Sequence, residues 1–252
     1  MRRLIINADD LGYDPSVDAG LLRAMHRGVV RSATLMVNTP YSADAARAAR
    51  GLSVGLHLNL ARWRPLSPDF PHSFLSDGAF DERQAGALPQ AVVEAETRAQ
   101  LARAEQLLER PPTHLDVHKH LHRNANVLLG IAAVAREKSL PVRALDAPMR
   151  AGLRARGVLT PDHFLGEAGS EAYWTLPRFL EALQALEPGT TELMCHPGEP
   201  PSRVVSGYGA QRQVELETFT SAEAQVALAR AGVALCDFSA LAPHPGVGAS
   251  SR

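Results

Sequence analysis

The sequence predicts an α/β fold built around a largely parallel sheet. Short apolar runs alternate with longer stretches of helical periodicity along the chain, which is the pattern of repeated strand–helix units. The chain has 252 residues and a mass of 27.1 kDa, which is enough for one large core and fits a single α/β barrel. We therefore expect one domain over residues 1–242, followed by a small, polar and disordered tail from Pro243.

The first half of the chain contains three predicted strands and one long loop. The apolar runs predict strands over residues 4–8, 32–37 and 54–58. Gly12 helps to turn the chain after the first strand, and helices are expected near residues 17–27 and 43–49. The loop of residues 62–88 is rich in proline and glycine and too long for a simple connection, so we expect it to cover a site.

The second half continues the alternation. A strongly helical stretch over residues 91–109 ends at Pro111 and Pro112, which cannot continue a helix. Further helices are expected over residues 127–138, 176–186 and 222–231. Strands are expected over residues 113–118, 141–145, 192–195 and 233–237. Residues 147–169 show no clear pattern and are left unassigned.

Composition excludes several classes of protein. A net charge of −1 gives no basic footprint for nucleic acid or for an anionic membrane surface. Cys195 and Cys236 are too few for a disulfide scaffold or a thiolate-rich zinc site. The apolar run of residues 4–6 is far too short for a signal-peptide core, and no run approaches the length of a membrane span. We expect a cytoplasmic protein that neither binds nucleic acid nor inserts into a membrane.

Histidine alternates with other residues after the third helix. The alternating polar positions share one parity, so a strand would direct them to one face; they are His114, Asp116, His118, His120 and His122. Such a row facing a core is costly unless it binds something. Because the strand is expected to end near His118, not all of them can face one site. A solvent-facing stripe, or core histidines that are hydrogen-bonded, are the alternatives.

Two other predicted strand ends carry similar chemistry. Asp9 and Asp10 are adjacent, so both can reach one site only where the regular strand geometry breaks, and Gly12 supports such a break. The alternative is a helix cap, although Asp14 or Ser16 would serve better. His57 lies in the third strand, where a lone histidine is otherwise a satisfied core residue.

If these strands lie side by side, a carboxylate and two imidazoles converge at one point. That is the ligand set of an open hydrolytic metal site, with positions left for water and substrate. A bound divalent cation would also relieve the repulsion between the adjacent aspartates. The residues therefore predict a metal-dependent hydrolase.

Four further residues lie in the last part of the chain. His196 comes after a predicted strand and is either part of the site or a loop histidine that caps local backbone. Cys195 is expected to be buried and inert, because nothing around it resembles a nucleophile site. Arg212 and Glu215 are either substrate contacts or a solvated ion pair, and the ion pair is the simpler interpretation.

Taken together, five motifs resemble the YdjC-like carbohydrate deacetylase family. In chain order they are Leu4-Ile-Ile-Asn-Ala-Asp-Asp-Leu-Gly12, Gly28-Val-Val-Arg-Ser-Ala-Thr-Leu-Met-Val-Asn38, Gly55-Leu-His-Leu-Asn59, Thr113-His-Leu-Asp-Val-His-Lys-His-Leu-His122 and Met194-Cys-His-Pro197. The resemblance runs in order from residue 3 to about residue 240. It extends to a branch of the family associated with hopanoid biosynthesis, which shares the His-Lys-His spacing. The combination is specific, whereas the aspartate pair by itself is a weak signal.

The resemblance implies a TIM-like, irregular (β/α) barrel that removes acetyl groups from N-acetylated sugars. It implies one divalent metal ion, magnesium or zinc, with cobalt and manganese as alternatives. The implied ligands are Asp10, His57 and His118, with Asp9 as the general base and His196 as a candidate general acid. His120, Asn59 and Arg212 are the candidate substrate contacts. A homodimer is left open.

The sequence departs from the family pattern at three positions. Leu11 replaces the usual phenylalanine, while Val117 and Lys119 stand where serine and a further histidine are common. Lys119 falls on the opposite strand face, so it does not interrupt the row of residues that share the face of the predicted metal site. Another amide, a phosphoester or a lipid-linked sugar remain alternative substrates. A non-catalytic metal- or sugar-binding protein is the alternative outside enzymes.

Overall fold

A parallel sheet with helices packed against it forms the framework. The computed structural model describes residues 1–241, so the tail expected from Pro243 lies outside the described residues. The first elements are β1 (Arg2–Leu11), α1 (Pro15–Arg27), β2 (Ser32–Leu35), α2 (Ser42–Ala48) and β3 (Val54–Leu58). They are followed by β4 (Leu75–Ser76), β5 (Ala79–Phe80), α3 (Gln90–Leu108), β6 (Leu115–Val117), α4 (Ala125–Lys138) and α5 (Ala147–Ala155). The last are β7 (His163–Leu165), α6 (Leu176–Ala185), β8 (Gly189–Cys195), α7 (Ala210–Thr220), α8 (Ala222–Ala231) and β9 (Ala234–Cys236).

The main sheet has seven strands, and β1 lies at its centre. The hydrogen-bonded order is β6-β3-β2-β1-β8-β7, and each pairing is parallel. The strand β9 pairs with the first part of β1, whereas β2 pairs with its last part. Because β1 has neighbours on both edges and both faces, it is buried from Leu4 to Leu11, as expected for a central parallel strand.

The sheet is strongly curled. Val142 makes a single parallel bridge to Leu115 of β6, and the next side chain, Arg143, contacts Asp9 in β1 and Glu192 in β8. Four strand spacings, about 19 Å in a flat sheet, separate this segment from β1. An arginine side chain does not extend that far, so the sheet must bend around Arg143.

The TIM-like, irregular (β/α) barrel implied by the resemblance is observed only in part. Within residues 1–241, no strand pairing joins β7 to the segment at Val142, so the curled sheet stays open there. The chain between them forms α5 and irregular backbone in place of a further strand. The α/β class and the parallel sheet are confirmed, and the architecture is a curled, partial barrel.

Other differences from the predicted elements have local causes. Residues 141–145 form one bridge and no strand, and the unassigned residues 147–169 contain α5 and β7. The helix α7 was not predicted, because its buried face carries polar side chains that hide the apolar period, namely Arg212, Glu215 and Thr218. The first strand is longer than expected, and β6 is shorter because left-handed backbone follows it.

Helix boundaries follow the capping signals in the sequence. The carboxylate of Asp14 accepts a hydrogen bond from Ser16 N at 2.9 Å, and Pro15 occupies the first turn of α1. The interpretation of Asp14 as the better cap is therefore confirmed, which leaves Asp9 and Asp10 for another role. In the described part of the chain, no helix is both long and apolar enough to cross a membrane.

The long loop of residues 62–88 is tied to the core. It contains the β4–β5 hairpin, and Phe70 packs edge-on against Phe80 with ring centroids 5.1 Å apart. The buried carboxylate of Glu96 in α3 accepts hydrogen bonds from the backbone of Leu66 at 3.0 Å and of Ser67 at 2.8 Å. These contacts attach most of the loop to the flank of the sheet.

Candidate metal centre and active site

The carboxyl ends of four parallel strands meet at one cavity. Asp9 and Asp10 come from β1, His57 from β3, His118 directly follows β6, and His196 directly follows β8. All five side chains line a cavity of about 400 Å³. The convergence expected from the strand ends is therefore observed, at the edge of a parallel sheet where ligands commonly bind.

A break in β1 brings both aspartates to this cavity. The pairing of β1 with β2 shifts register between Ala8 and Leu11, and Asp10 adopts a left-handed backbone with φ 74°. Gly12 follows with φ 82°, and a Cβ there would lie 2.9 Å from the carbonyl oxygen of Met36. The irregularity inferred from two adjacent aspartates is thus built into the backbone.

Three side chains present ligand atoms at a common point. His57 Nε2 lies 3.2 Å from Asp10 Oδ1, and His118 Nδ1 lies 3.1 Å from the same oxygen. The two ring nitrogens are 3.2 Å apart. A triangle with these sides has room for a cation at about 2.0–2.2 Å from each atom, the usual length of bonds from zinc to histidine and carboxylate.

The oxygen of Asp10 that faces the histidines is otherwise unused. Both ring nitrogens approach Oδ1 without hydrogen-bond geometry, and this buried atom has no hydrogen-bond partner among residues 1–241. Burial opposes the charge of Asp10, but the adjacent Arg212 guanidinium outweighs it and holds the pKa of that carboxyl well below its usual value. A buried, ionised and unpartnered oxygen beside two imidazoles fits a divalent cation.

The histidines differ in charge. Burial lowers the pKa of His118, so this ring is neutral, as a ligand must be. Burial also disfavours the charge of His57, but Asp116 and Asp10 raise the pKa of His57 to about 10. Because His57 Nδ1 donates to Asp116 Oδ1 at 2.6 Å, Nε2 is the nitrogen that faces the triangle, and a cation there displaces its proton.

A second cluster of possible ligands is already filled. Asp9, His57 and Asp116 also bring ligand atoms close together. However, Arg143 donates to Asp9 at 2.6 and 2.7 Å and lies 2.9 Å from Asp116 Oδ2. The guanidinium supplies the positive charge at that place, so a cation fits only the cluster of Asp10, His57 and His118.

Arg143 is the centre of a buried ionic network. Besides Asp9 and Asp116, its Nε donates to Glu192 at 2.7 Å, and the guanidinium is fully buried. Burial opposes the charge of Asp9, yet Arg143 holds the pKa of Asp9 far below its usual value. Burial raises the pKa of Glu192 to about 7, so this carboxyl takes up a proton more readily than Asp9 does.

Replacing Arg143 with methionine is expected to destabilise the protein by about 3–5 kcal/mol, because the change leaves buried carboxylates without their countercharge. The free energy of unfolding in urea measures this loss. Arg136→Met, at an exposed position on α4, is the matched control and should stay within about 0.5 kcal/mol of the unchanged protein. Equal stabilities of the two variants would contradict the network.

His196 lines the cavity at the end of β8, which lies on the other side of β1 from β3 and β6. Its backbone N–H donates to Glu215 Oε2 at 2.5 Å, and the hydroxyl of Tyr208 donates to Glu215 Oε1 at 2.7 Å. The ring of His196 packs edge-on against Tyr208, with centroids 5.3 Å apart. Across the residues described, His196 Nδ1 is buried without a hydrogen-bond partner. Glu215 therefore fixes the backbone of His196 and leaves its ring available to the cavity.

Of the three expected substrate contacts, His120 and Arg212 line the cavity and Asn59 does not. His120 follows Lys119 in two successive left-handed positions, with φ 56° and 53°, which turn its ring into the cavity wall. Burial, followed by the charge of Arg143, lowers the pKa of His120 to about 3. Backbone strain of this kind directly after a candidate ligand histidine is typical of functional sites.

The expected substrate contact of Asn59 is corrected by its position. Its Nδ2 donates to Asn38 Oδ1 at 3.0 Å and to the carbonyl oxygen of Arg62 at 2.7 Å, while Oδ1 accepts from Ala61 N at 3.0 Å. Asn59 is fully buried and holds the start of the long loop. Within that loop, which is described throughout, only Arg62 lines the cavity, so the loop does not cover the site as expected.

The expected solvated pair of Arg212 and Glu215 is also wrong. Both residues are buried on α7; Arg212 donates to Asp10, and Glu215 accepts from His196 and Tyr208. Cys195 is buried with a pKa raised by burial, in agreement with an inert thiol.

Sequence reasoning missed the roles of three buried residues. The sequence placed Asp116 on the same strand face as the neighbouring histidines but did not indicate its contact with His57. Arg143 is a charged residue inside the apolar run of residues 141–145, which was the available signal. For Glu215 the sequence indicated only a substrate contact or an ion pair with Arg212, because polar side chains on the buried face of α7 hide its helical period.

Tyr13 and Arg62 line the cavity, and Trp63 packs against both of them without lining it. Tyr13 packs edge-on against Trp63 with centroids 5.7 Å apart, and Arg62 Nη1 donates to the hydroxyl of Tyr13 at 2.5 Å. The guanidinium carbon of Arg62 also lies 5.4 Å from the centre of the Trp63 ring. The lining therefore combines the ring of Tyr13 with the hydrogen-bond donors of Arg62.

The fold and this cavity define a class, an α/β protein with an Asp–His–His cluster of metal-ligand type at the carboxyl ends of its parallel strands. The family model described as YdjC-like protein matches residues 3–230. The chain therefore belongs to the YdjC-like family, as the motifs predicted.

Individual relatives agree with this assignment. A carbohydrate deacetylase from Geobacillus stearothermophilus is 35% identical over 245 residues, covering 94% of this chain and 97% of that protein. A chitooligosaccharide deacetylase from Serratia marcescens is 35% identical over 256 residues, covering 94% and 98%. A crystal structure of a putative cellobiose-phosphate cleavage protein from Enterococcus faecalis V583 has a TM-score of 0.85 and 29% identity, covering 96% of this chain and 99% of that one.

Proposed function

We propose that this protein is a metal-dependent hydrolase that removes acetyl groups from N-acetylated sugars. The observation that carries the proposal is the triangle of Asp10 Oδ1, His57 Nε2 and His118 Nδ1, with sides of 3.1–3.2 Å, beside an ionised aspartate. The substrate class is taken from two relatives that match nearly the whole chain. They are the carbohydrate deacetylase from Geobacillus stearothermophilus and the chitooligosaccharide deacetylase from Serratia marcescens.

Asp10, His57 and His118 would hold the divalent cation. When bound, such an ion polarises the acetyl carbonyl and makes a water molecule acidic enough to attack it near neutral pH. The set of two imidazoles and one carboxylate suits zinc, cobalt or manganese, and magnesium is the remaining choice. The acidic Asp116 holds the ring of His57 in the tautomer that this role requires.

Asp9 has the position and charge of the general base. Arg143 binds both carboxylate oxygens, and Oδ1 also accepts from Asn7 Nδ2 at 2.9 Å. Since each carboxylate oxygen can accept about two hydrogen bonds, Oδ2 keeps one acceptor position for the proton of the attacking water. Arg143 keeps Asp9 ionised and oriented, and it also lowers the basicity of the carboxylate.

His196 is the proposed general acid for the leaving amine. It lines the same cavity as Asp9 and directly follows β8, the strand that pairs with β1, so both groups can approach one bound amide. Glu215 fixes its backbone, and Tyr208 packs against its ring. A histidine in this place can donate a proton to the amine as the carbon–nitrogen bond breaks, which leaves acetate and an amino sugar.

The dimensions of the cavity agree with a small sugar. About 400 Å³ lies within the size range of small-molecule sites. Tyr13 in the lining offers ring surface to the apolar side of a sugar, while Arg62 offers donors to its hydroxyl groups.

Release of acetate from N-acetylated monosaccharides and short chitooligosaccharides is expected to stop after chelation and to return with one added metal. Acetate is measured by a coupled assay, with zinc, magnesium, manganese or cobalt added back separately. Stoichiometric metal binding without acetate release from any of these sugars would contradict the proposal. Hydrolysis of another amide, a phosphoester or a lipid-linked sugar in the same panel would replace it.

A further inference from the structure

Arg212 occupies an unusual position for a charged side chain. It lies in the first turns of α7, is 3% exposed and lines the cavity beside Asp10. Its guanidinium carbon lies 5.5 Å from the ring centre of Tyr13 and 5.6 Å from that of Tyr208, so the group is held between two aromatic rings. Its Nε donates to the carbonyl oxygen of Tyr208 at 3.0 Å, which fixes the plane of the fork.

Because of the guanidinium of Arg212, the two oxygens of Asp10 have different partners. Arg212 Nη2 donates to Asp10 Oδ2 at 2.5 Å, whereas Oδ1 faces His57 and His118. Asp10 is therefore left with a single oxygen for a cation. A carboxylate restricted in this way takes up one coordination position and leaves others for water and substrate.

The remaining nitrogen of Arg212 has nothing to bind within the described chain. Nη1 is buried, and residues 1–241 supply no acceptor for it. Most buried donors in folded proteins are paired, so an unpaired one on a cavity wall indicates a place where a ligand supplies the acceptor. Arginine only donates, so the acceptor on an N-acetyl group must be its carbonyl oxygen rather than its N–H.

We propose that Arg212 acts twice at this site: Nη2 holds Asp10 so that one oxygen faces the cation, and Nη1 donates to the acetyl carbonyl oxygen of the substrate. The second half of this inference rests on the proposed deacetylase function, and the first half does not. As the carbonyl carbon is attacked, negative charge develops on its oxygen, and a fixed, desolvated guanidinium stabilises that charge more than the neutral carbonyl.

Arg212→Lys and Arg212→Ala test both halves. Lysine keeps the charge but cannot bind Asp10 and the substrate through two nitrogens of one fork. We expect metal affinity, measured by competition with a chromogenic chelator, to fall about 10–100-fold in both variants. At saturating metal, we expect kcat to fall by about 10²–10³-fold. Added guanidinium, at concentrations that do not denature, should restore part of the kcat of Arg212→Ala but not of Arg212→Lys.

Arg203→Ala is the matched control, because Arg203 is an exposed arginine in the preceding loop and does not line the cavity. Thermal unfolding of each variant shows that it is folded before affinity is compared. Unchanged metal affinity in a folded Arg212→Ala would overturn the first half. Unchanged kcat at saturating metal would overturn the second. If the unchanged protein releases no acetate, the deacetylase proposal fails, while the affinity comparison still decides the role of Arg212 toward Asp10.

Discussion

Asp10→Asn should lose tight metal binding and, with it, nearly all acetate release. Asp10 Oδ1 is the one anionic atom of the ligand triangle, and an amide in its place removes the charge that draws a cation between two imidazoles. The loss of a direct ligand should exceed the 10–100-fold weakening typical of a supporting residue. We expect turnover at micromolar metal to fall by about 10³-fold or more, since the activated water and the polarised carbonyl are lost together.

Metal content after dialysis and chelator competition are the direct measurements for this variant. Asp69→Asn, at an exposed position in the long loop, controls for the substitution itself and should keep full metal content and activity. Thermal unfolding is recorded for both, because Asp10 also pairs with Arg212 in the buried cavity. Full metal content in Asp10→Asn would remove Asp10 from the ligand set.

Asp9→Asn should give the opposite combination, with metal retained and turnover lost. Asparagine has nearly the same shape, and its amide oxygen can still accept one hydrogen bond from Arg143. It cannot take a proton from water, so we expect kcat at saturating metal to fall by about 10²–10⁴-fold. Metal affinity should change little, because Asp9 lies outside the triangle and is already neutralised by Arg143.

Measuring both metal affinity and kcat for Asp9→Asn and Asp10→Asn distinguishes the roles of the two neighbouring aspartates. The left-handed backbone at Asp10 directs two adjacent carboxylates to different partners, one to the histidines and one to Arg143. If Asp9→Asn lost its metal while Asp10→Asn kept it, the roles would be exchanged. Full activity in Asp9→Asn would show that another group accepts the proton.

Much of this site could be predicted because its chemistry is local in sequence. Asp9, Asp10, His57, His118 and His196 each stand at or next to the end of an apolar run, and parallel strands end at one edge of a sheet. The adjacent aspartates also predicted a break in β1, which is present as a register shift and a positive φ. The position and type of these residues were therefore readable without a structure.

The supporting residues could not be predicted in the same way. Arg143 reaches Asp9 across 134 positions of the chain, and Arg212 reaches Asp10 across 202. Neither contact leaves a periodic or spacing signal, and in α7 the buried arginine and glutamate disguise the helix itself. A buried charge in a sequence looks like an exposed one until its partner is known.

Asn59 was predicted to contact the substrate, and the structure instead places it outside the cavity. It was a candidate substrate contact one residue beyond β3, yet its amide is used to hold the start of the long loop. Parity fixes the direction of a side chain only while the strand continues, and β3 ends at Leu58.

By itself, the sequence determined the α/β class, the strands that end at the site, the family and the residues with metal-ligand chemistry. The class and the strands depend on apolar periodicity, and the family and the candidate ligands depend on motifs that resemble the family; both are properties of short segments. Only the tertiary structure decided that the sheet curls without closing, and that Arg143 neutralises one aspartate while Arg212 restrains the other. The physical reason is that charge pairing inside a core depends on distances between remote segments, and the folded sheet sets those distances.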